Sequence, residues 1–176
     1  GVSPTISGTS TSALITLNGI DYVTIDGSNS GGSTRDTTIT NTGTGTSSAV
    51  IWGQTVTTAD PTTNDTIKNL NVSGNASTTT FAGIGFGSTT IGTSTVGTRN
   101  DNNRVQNNNI TQLQFGVVSV GSQSAAKNAG TVVTGNTLGG AGIAALGRAG
   151  VWIAFEDGAQ VTNNSVVDVF ASNSAD

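Results

Sequence analysis

The chain of 176 residues contains no cysteine, no histidine and no methionine, only two prolines, and just 9% charged and 5% aromatic residues. Without cysteine there are no disulfides and no thiolates, and without histidine there is no imidazole base. Ser-His-Asp and Cys-His machinery and the usual transition-metal ligand sets are thereby excluded, and no metal or cofactor is expected. No apolar run approaches the ~18 residues of a membrane-spanning helix, so membrane insertion is not expected. Nor is nucleic acid: the net charge is −4, and Arg35, Lys68, Arg99, Arg104, Lys127 and Arg148 are scattered singly. The first residues lack the charged and apolar regions of a signal peptide. The chain reads as a single domain, 1–176, excised from a longer polypeptide.

What the chain does contain is Gly, Thr, Ser and Asn in quantity, with β-branched residues kept in register. Ile15, Val50, Ile84, Val118 and Ile153 recur at intervals of 34 or 35 residues, and two places further on sit Leu17, Trp52, Phe86, Val120 and Phe155. A period this steady marks a solenoid, in which each turn buries its apolar side only against its neighbours. A second unit recurs between these columns: TIKNLNV, RVQNNNI, VVTGNTL and QVTNNSV. With Ile67, Val105, Val133 and Val161 as anchors, an apolar residue follows five places later every time, at Val72, Ile110, Leu138 and Val166. Asn or Gly two and three places after most anchors suits a sharp corner with φ > 0, and stacked Asn side chains can form ladders. In the first turn Ile25 is the anchor and Ile39 the second strand, with a longer insertion between them. The fold class is therefore all-β, a parallel β-helix of about five turns with three short strands per turn. A β-sandwich of short strands is the competing architecture, but it gives no reason for a constant period.

From LNGIDYVTIDGSNSGGSTRD at 17–36 and the later xVxNNxV units, essentially the whole chain resembles right-handed parallel β-helix repeat proteins of the pectate-lyase-like superfold. It is most similar to secreted or surface proteins of Bacteroidetes that use the type IX secretion system. That resemblance implies an extracellular or cell-surface bacterial protein whose partners include neighbouring domains of the same polypeptide. The superfold also includes lyases, hydrolases and tailspikes, so fold alone does not name a reaction.

The search for chemistry turns on ten carboxylates, of which only Glu156 and Asp157 are adjacent. Neighbours on a strand face opposite ways, so even this pair is not a built acid–base couple, and no catalytic residue is assigned. The Asn100–Asn103 run lacks the spaced carboxylates of a calcium loop and reads as an Asx-rich turn. Thr-rich positions flanking the anchors form no regular array, which argues against ice binding. Trp152 is expected to face outward ahead of Glu156 and Asp157, and these three form the candidate ligand site for a polysaccharide or cell-surface glycan. The triplets Asp36-Thr37-Thr38 and Asp65-Thr66-Ile67 match the short O-glycosylation signal of the bacterial group resembled, which makes Thr37 and Thr66 candidate acceptors. The expected function is a non-catalytic structural or adhesive module; the alternatives are a fragment of a polysaccharide lyase or glycoside hydrolase, with Arg148 near the carboxylate pair, and a purely structural spacer. Within the core, Ile84 is expected to point inward and Gly85 outward, so that Ile84→Asp unfolds the domain and Gly85→Ser is mild.

Overall fold

In the computed structural model, which describes residues 2–94, 96–123 and 126–170, nearly every strand pairs in parallel with the equivalent strand one turn away. Three large sheets result, beside a two-stranded one that pairs Asn128–Ala129 with Glu156–Asp157. The long-strand sheet comprises Ala13–Asn18, Ala49–Thr55, Ala82–Ser88, Leu113–Val120 and Leu146–Ala154. The anchor sheet stacks Thr24–Asp26, Thr66–Lys68, Arg104–Gln106, Val132–Thr134 and Gln160–Thr162. The corner sheet, whose strands follow the last four anchor strands after one or two residues, stacks Thr5–Gly8, Thr37–Asn41, Leu70–Ser73, Asn109–Thr111, Thr137–Gly139 and Ser165–Val167. The chain is a parallel β-helix.

The anchors stack as expected, Ile25, Ile67, Val105, Val133 and Val161 forming one column and Ile39, Val72, Ile110, Leu138 and Val166 another. The corners between them are left-handed, at Asn69 (φ 59°), Asn107 (φ 52°), Gly135 (φ 66°) and Asn163 (φ 55°). Asn tolerates this region because its short amide can bond locally, and Gly because it has no Cβ. The next residue turns its amide into the core. Asn108 N–H donates to Asn136 Oδ1 at 2.8 Å, and Asn136 N–H to Asn164 Oδ1 at 3.0 Å. The same side chains donate to the carbonyls of the preceding anchors, Ile67, Val105 and Val133. This ladder satisfies backbone groups that a sharp buried corner would otherwise orphan.

The register of the long-strand sheet differs from the sequence expectation. The inward column runs Ile15, Ile51, Ile84, Val117 and Val151, so Val50 and Val118 fall one place off and Ile153 two. The second column is Leu17, Gly53, Phe86, Ser119 and Ile153, so three of the expected members, Trp52, Val120 and Phe155, are not in it. The physical reason is a bend in every long strand. At each bend two consecutive residues face inward: Val50 packs in the core beside Ile51, and a Cβ on Gly83 would lie 2.4 Å from the core atom Ile110 Cγ2. Strict alternation breaks there, so apolar residues on both sides of the bend mimic one another's spacing.

Beyond the bend the outward column is Thr16, Trp52, Gly85, Val118 and Trp152. Trp52 is fully buried in a second apolar cluster on the outside of the sheet, with Phe81, Ile91, Phe115 and Val118. Its indole lies flat over the next turn and its Nε1 donates to Ser88 O at 2.8 Å. Gly85 does face outward, but a Cβ there would sit 2.2 Å from Trp52 Cζ3, so the expectation that Gly85→Ser is mild fails.

Candidate functional site

The outer face of the long-strand sheet is where the variable loops gather. A left-handed Gln112 (φ 59°) is all that joins Thr111 to Leu113, whereas residues 42–48 and 74–81 make longer connections in the two preceding turns. Between those loops, residues 91–94 and Arg148 lies an open cleft of about 530 Å³. Its apolar surface comes from Phe81 and Ile91, and its polar surface from Thr46, Ser47, Thr78 and Gln114. Gln114 is pinned, its Nε2 donating to Thr79 O at 2.9 Å, which leaves its carbonyl oxygen uncommitted.

An aromatic row continues along the same face. The rings of Phe81 and Phe115 are 5.0 Å apart and tilted by 48°, and Phe115 meets Trp152 edge-on at 6.0 Å and 69°. Phe81 and Phe115 are buried, whereas Trp152 is 43% exposed. The Arg148 guanidinium lies over the Phe115 ring, 5.8 Å from its centroid, and also lines the cleft. Contacts of this kind hold a guanidinium in place while leaving its N–H donors free.

Trp152 therefore faces outward as expected, but Glu156 does not continue its strand. Phe155 adopts a left-handed conformation (φ 53°), and Glu156–Asp157 form a separate short pair with Asn128–Ala129. Glu156 turns toward Ser119 and Thr131: its Oε2 accepts Ser119 Oγ–H at 2.7 Å and its Oε1 accepts Thr131 N–H at 3.1 Å. Asp157 is exposed and paired with Lys127 at 2.8 Å. The carboxylate pair thus serves two different neighbourhoods, and Arg148, rather than either acid, adjoins the aromatic row.

Several of the remaining carboxylates are also engaged locally. Asp26 accepts from Ser28 N–H and Asn69 and pairs with Lys68 at 3.1 Å, contacts that hold its pKa below the usual carboxylate range. Asp21 accepts from Thr63 N–H at 2.8 Å, and Asp101 from Ala129 N–H at 2.8 Å. Asp65 is fully buried, and its carboxyl is pushed up to about 6, chiefly by that burial. Among the described residues no three acidic side chains gather where they could hold a metal ion; Asp176 lies outside the described residues.

Asn100 and Asn103 are buried within the turn, Asn100 N–H donating to Asn128 Oδ1 at 3.0 Å and Asp65 N–H to Asn103 Oδ1 at 2.9 Å. Thr66 faces out from the anchor sheet between Thr24 and Arg104, half-buried, with the Asp65 of its triplet wholly inside. Thr37 opens a corner-sheet strand opposite Leu70 and is half-buried. A more even polar array than the one flanking the anchors lies on the outside of the corner sheet, where Thr38, Asn71, Asn109 and Thr137 are in register. It is not an open plane. Arg35 crosses it, accepting from Asn71 Nδ2 at its carbonyl (2.7 Å) and donating to Thr137 Oγ1 at 3.2 Å.

Sequence reasoning reached Trp152 and Arg148 but missed Phe81, Phe115 and the cleft. Phe115 lies just before the bend, where period-two counting loses the face, and Phe81 lies in a loop. Comparison with protein-family models, with curated proteins and with solved structures finds no match.

Proposed function

We propose that the chain is a non-catalytic β-helix module of a secreted or cell-surface bacterial protein that binds glycan on the outer face of its long-strand sheet. The observation that carries this reading is the row of Phe81, Phe115 and the exposed Trp152 running beside a hydroxyl-lined cleft. Sugar rings present an apolar face and a rim of hydroxyls, and a half-exposed indole joined through Phe115 and Phe81 to a cleft with uncommitted hydroxyl and amide groups complements both. The bland role of an outward tryptophan, covering a loop, is the one Trp52 fills: it is buried and bonded to Ser88, whereas Trp152 remains open.

The assignment as non-catalytic is supported by the chemistry. There is no imidazole or thiol, and Glu156, Asp157, Asp26 and Asp21 are each held by neighbours within the coil rather than converging on the cleft. A lyase or hydrolase fragment requires carboxylates or a cation-bound set facing one groove. The resemblance to secreted and cell-surface β-helix repeat proteins is what supports an extracellular setting, with other domains of the same polypeptide as neighbours.

A glycan array probed with the wild type and Trp152→Ala in parallel tests this. Binding to at least one saccharide class, weakened about tenfold or more by Trp152→Ala with unchanged melting, is the expected result. No bound saccharide, or binding indifferent to Trp152→Ala, overturns the site; release of unsaturated or reducing products from a bound polysaccharide overturns the non-catalytic assignment.

A further inference from the structure

We infer that the cleft selects saccharides carrying an anionic substituent, a sulfate ester or a carboxylate, and that Arg148 is the residue that reads this charge. The inference rests on the glycan-binding reading and names the ligand class for that face. Its first support is the charge distribution: the chain has ten acidic and six basic residues, yet among the described residues no carboxylate lines the cleft and its one charged side chain is Arg148.

The second support is position: three of the other cations are committed elsewhere, Arg99 and Arg104 do not line the cleft, and Arg148 lines it without an ionic partner among the described residues. Lys68 is paired with Asp26 and Lys127 with Asp157, and the Arg35 guanidinium donates to Asn107, Thr137 and Gly135. Arg148 makes an aromatic contact with Phe115 and, among the described residues, donates to no carboxylate. A guanidinium in such a contact keeps five N–H donors in its own plane, a fork available to an oxyanion. Thr46, Ser47, Thr78 and Thr93 add hydroxyls that can donate to the same group from other directions. The volume of about 530 Å³ suits one or two sugar rings rather than a long chain.

Calorimetric titration with three probes of equal length tests the inference: an oligogalacturonate, a sulfated galactan oligosaccharide and a neutral galacto-oligosaccharide. One or both anionic probes are expected to bind more tightly than the neutral one, to lose about tenfold or more on Arg148→Gln, and to weaken with added salt. Whichever anionic probe responds assigns the charged group as carboxylate or sulfate. Arg148 is exposed, so Arg148→Gln should melt like the wild type, and Arg148→Lys should recover only part of the loss because it lacks the fork. Equal binding of neutral and anionic probes, unmoved by Arg148→Gln but lost with Trp152→Ala, overturns this inference while leaving the glycan site standing; no binding of any probe, here and on the array, overturns both.

Discussion

Arg35 and Asn107 lie 72 residues apart in the chain, yet the guanidinium of Arg35 grips both ends of that asparagine: Nε donates to its carbonyl at 3.0 Å and Nη2 to its Oδ1 at 2.9 Å. Arg35 leaves the first-turn insertion and reaches across the corners of later turns, ending at Thr137 Oγ1. It is a strap. Its partial burial lowers its pKa but leaves it charged at any working pH. Arg35→Ala should cost about 1–3 kcal/mol in urea unfolding, because the Asn107 carbonyl loses a charged donor. Arg35→Lys should recover less than half, since an ammonium cannot serve these acceptors as a fork. Unchanged stability in Arg35→Ala would show that the strap contributes nothing.

Both faces of the long-strand sheet are predicted to be intolerant, the inner at Ile84 and the outer at Gly85. Ile84→Asp places a charge in the fully buried column between Ile51 and Val117 and should abolish the cooperative melt. Gly85→Ser inserts atoms into the space of the Trp52 indole and should destabilise by about 1–3 kcal/mol or more. A Gly85→Ser melt within a degree of the wild type would contradict the packing of Trp52 across this turn.

Asp65 gives the fold a pH dependence of definite sign. Its Oδ1 accepts Val23 N–H at 2.7 Å, but its buried Oδ2 has no partner, and burial raises its carboxyl to about 6. The folded state therefore holds a proton that the unfolded chain releases near 3.8. The contribution is fully present below about pH 4 and is lost as pH rises through 6. Asp65→Asn keeps the acceptor for Val23 and removes the buried charge, as Asn103 already does at the equivalent place one turn on. The variant should gain on the order of 2 kcal/mol at pH 8 and little at pH 4, measured by urea unfolding. A loss at pH 8 would contradict the account.

The architecture was legible because its signals are local and repeated: aliphatic anchors, an apolar residue five places on, and Asn or Gly where the backbone must turn left-handed. Even the irregular first turn, with Ile25 and Ile39, falls into the stack as the spacing implies. The long strands were misregistered by one or two residues because each contains a bend with two successive inward residues, as at Val50 and Ile51. The outer face of that sheet suffered most from this. Trp52 was assigned to the core column and Phe115 to none, whereas both belong to the outer face on which Trp152 lies. The fate of Glu156 depends on a left-handed Phe155, a conformation that nothing in an aromatic side chain announces.

The two tryptophans offer the most direct measurement of the central claim. In an indole-region nitrogen–proton correlation spectrum they give two signals, assigned by the loss of one in Trp152→Ala. Trp52 Nε1–H is bonded to Ser88 O and buried, so its signal should exchange slowly and stay fixed when saccharide is added. The Trp152 signal should exchange fast and shift in a saturable way with the saccharide captured on the array. A shift at Trp152 with Trp52 unmoved is the predicted result; a Trp152 signal that stays still across neutral and acidic saccharides alike would contradict glycan binding on this face.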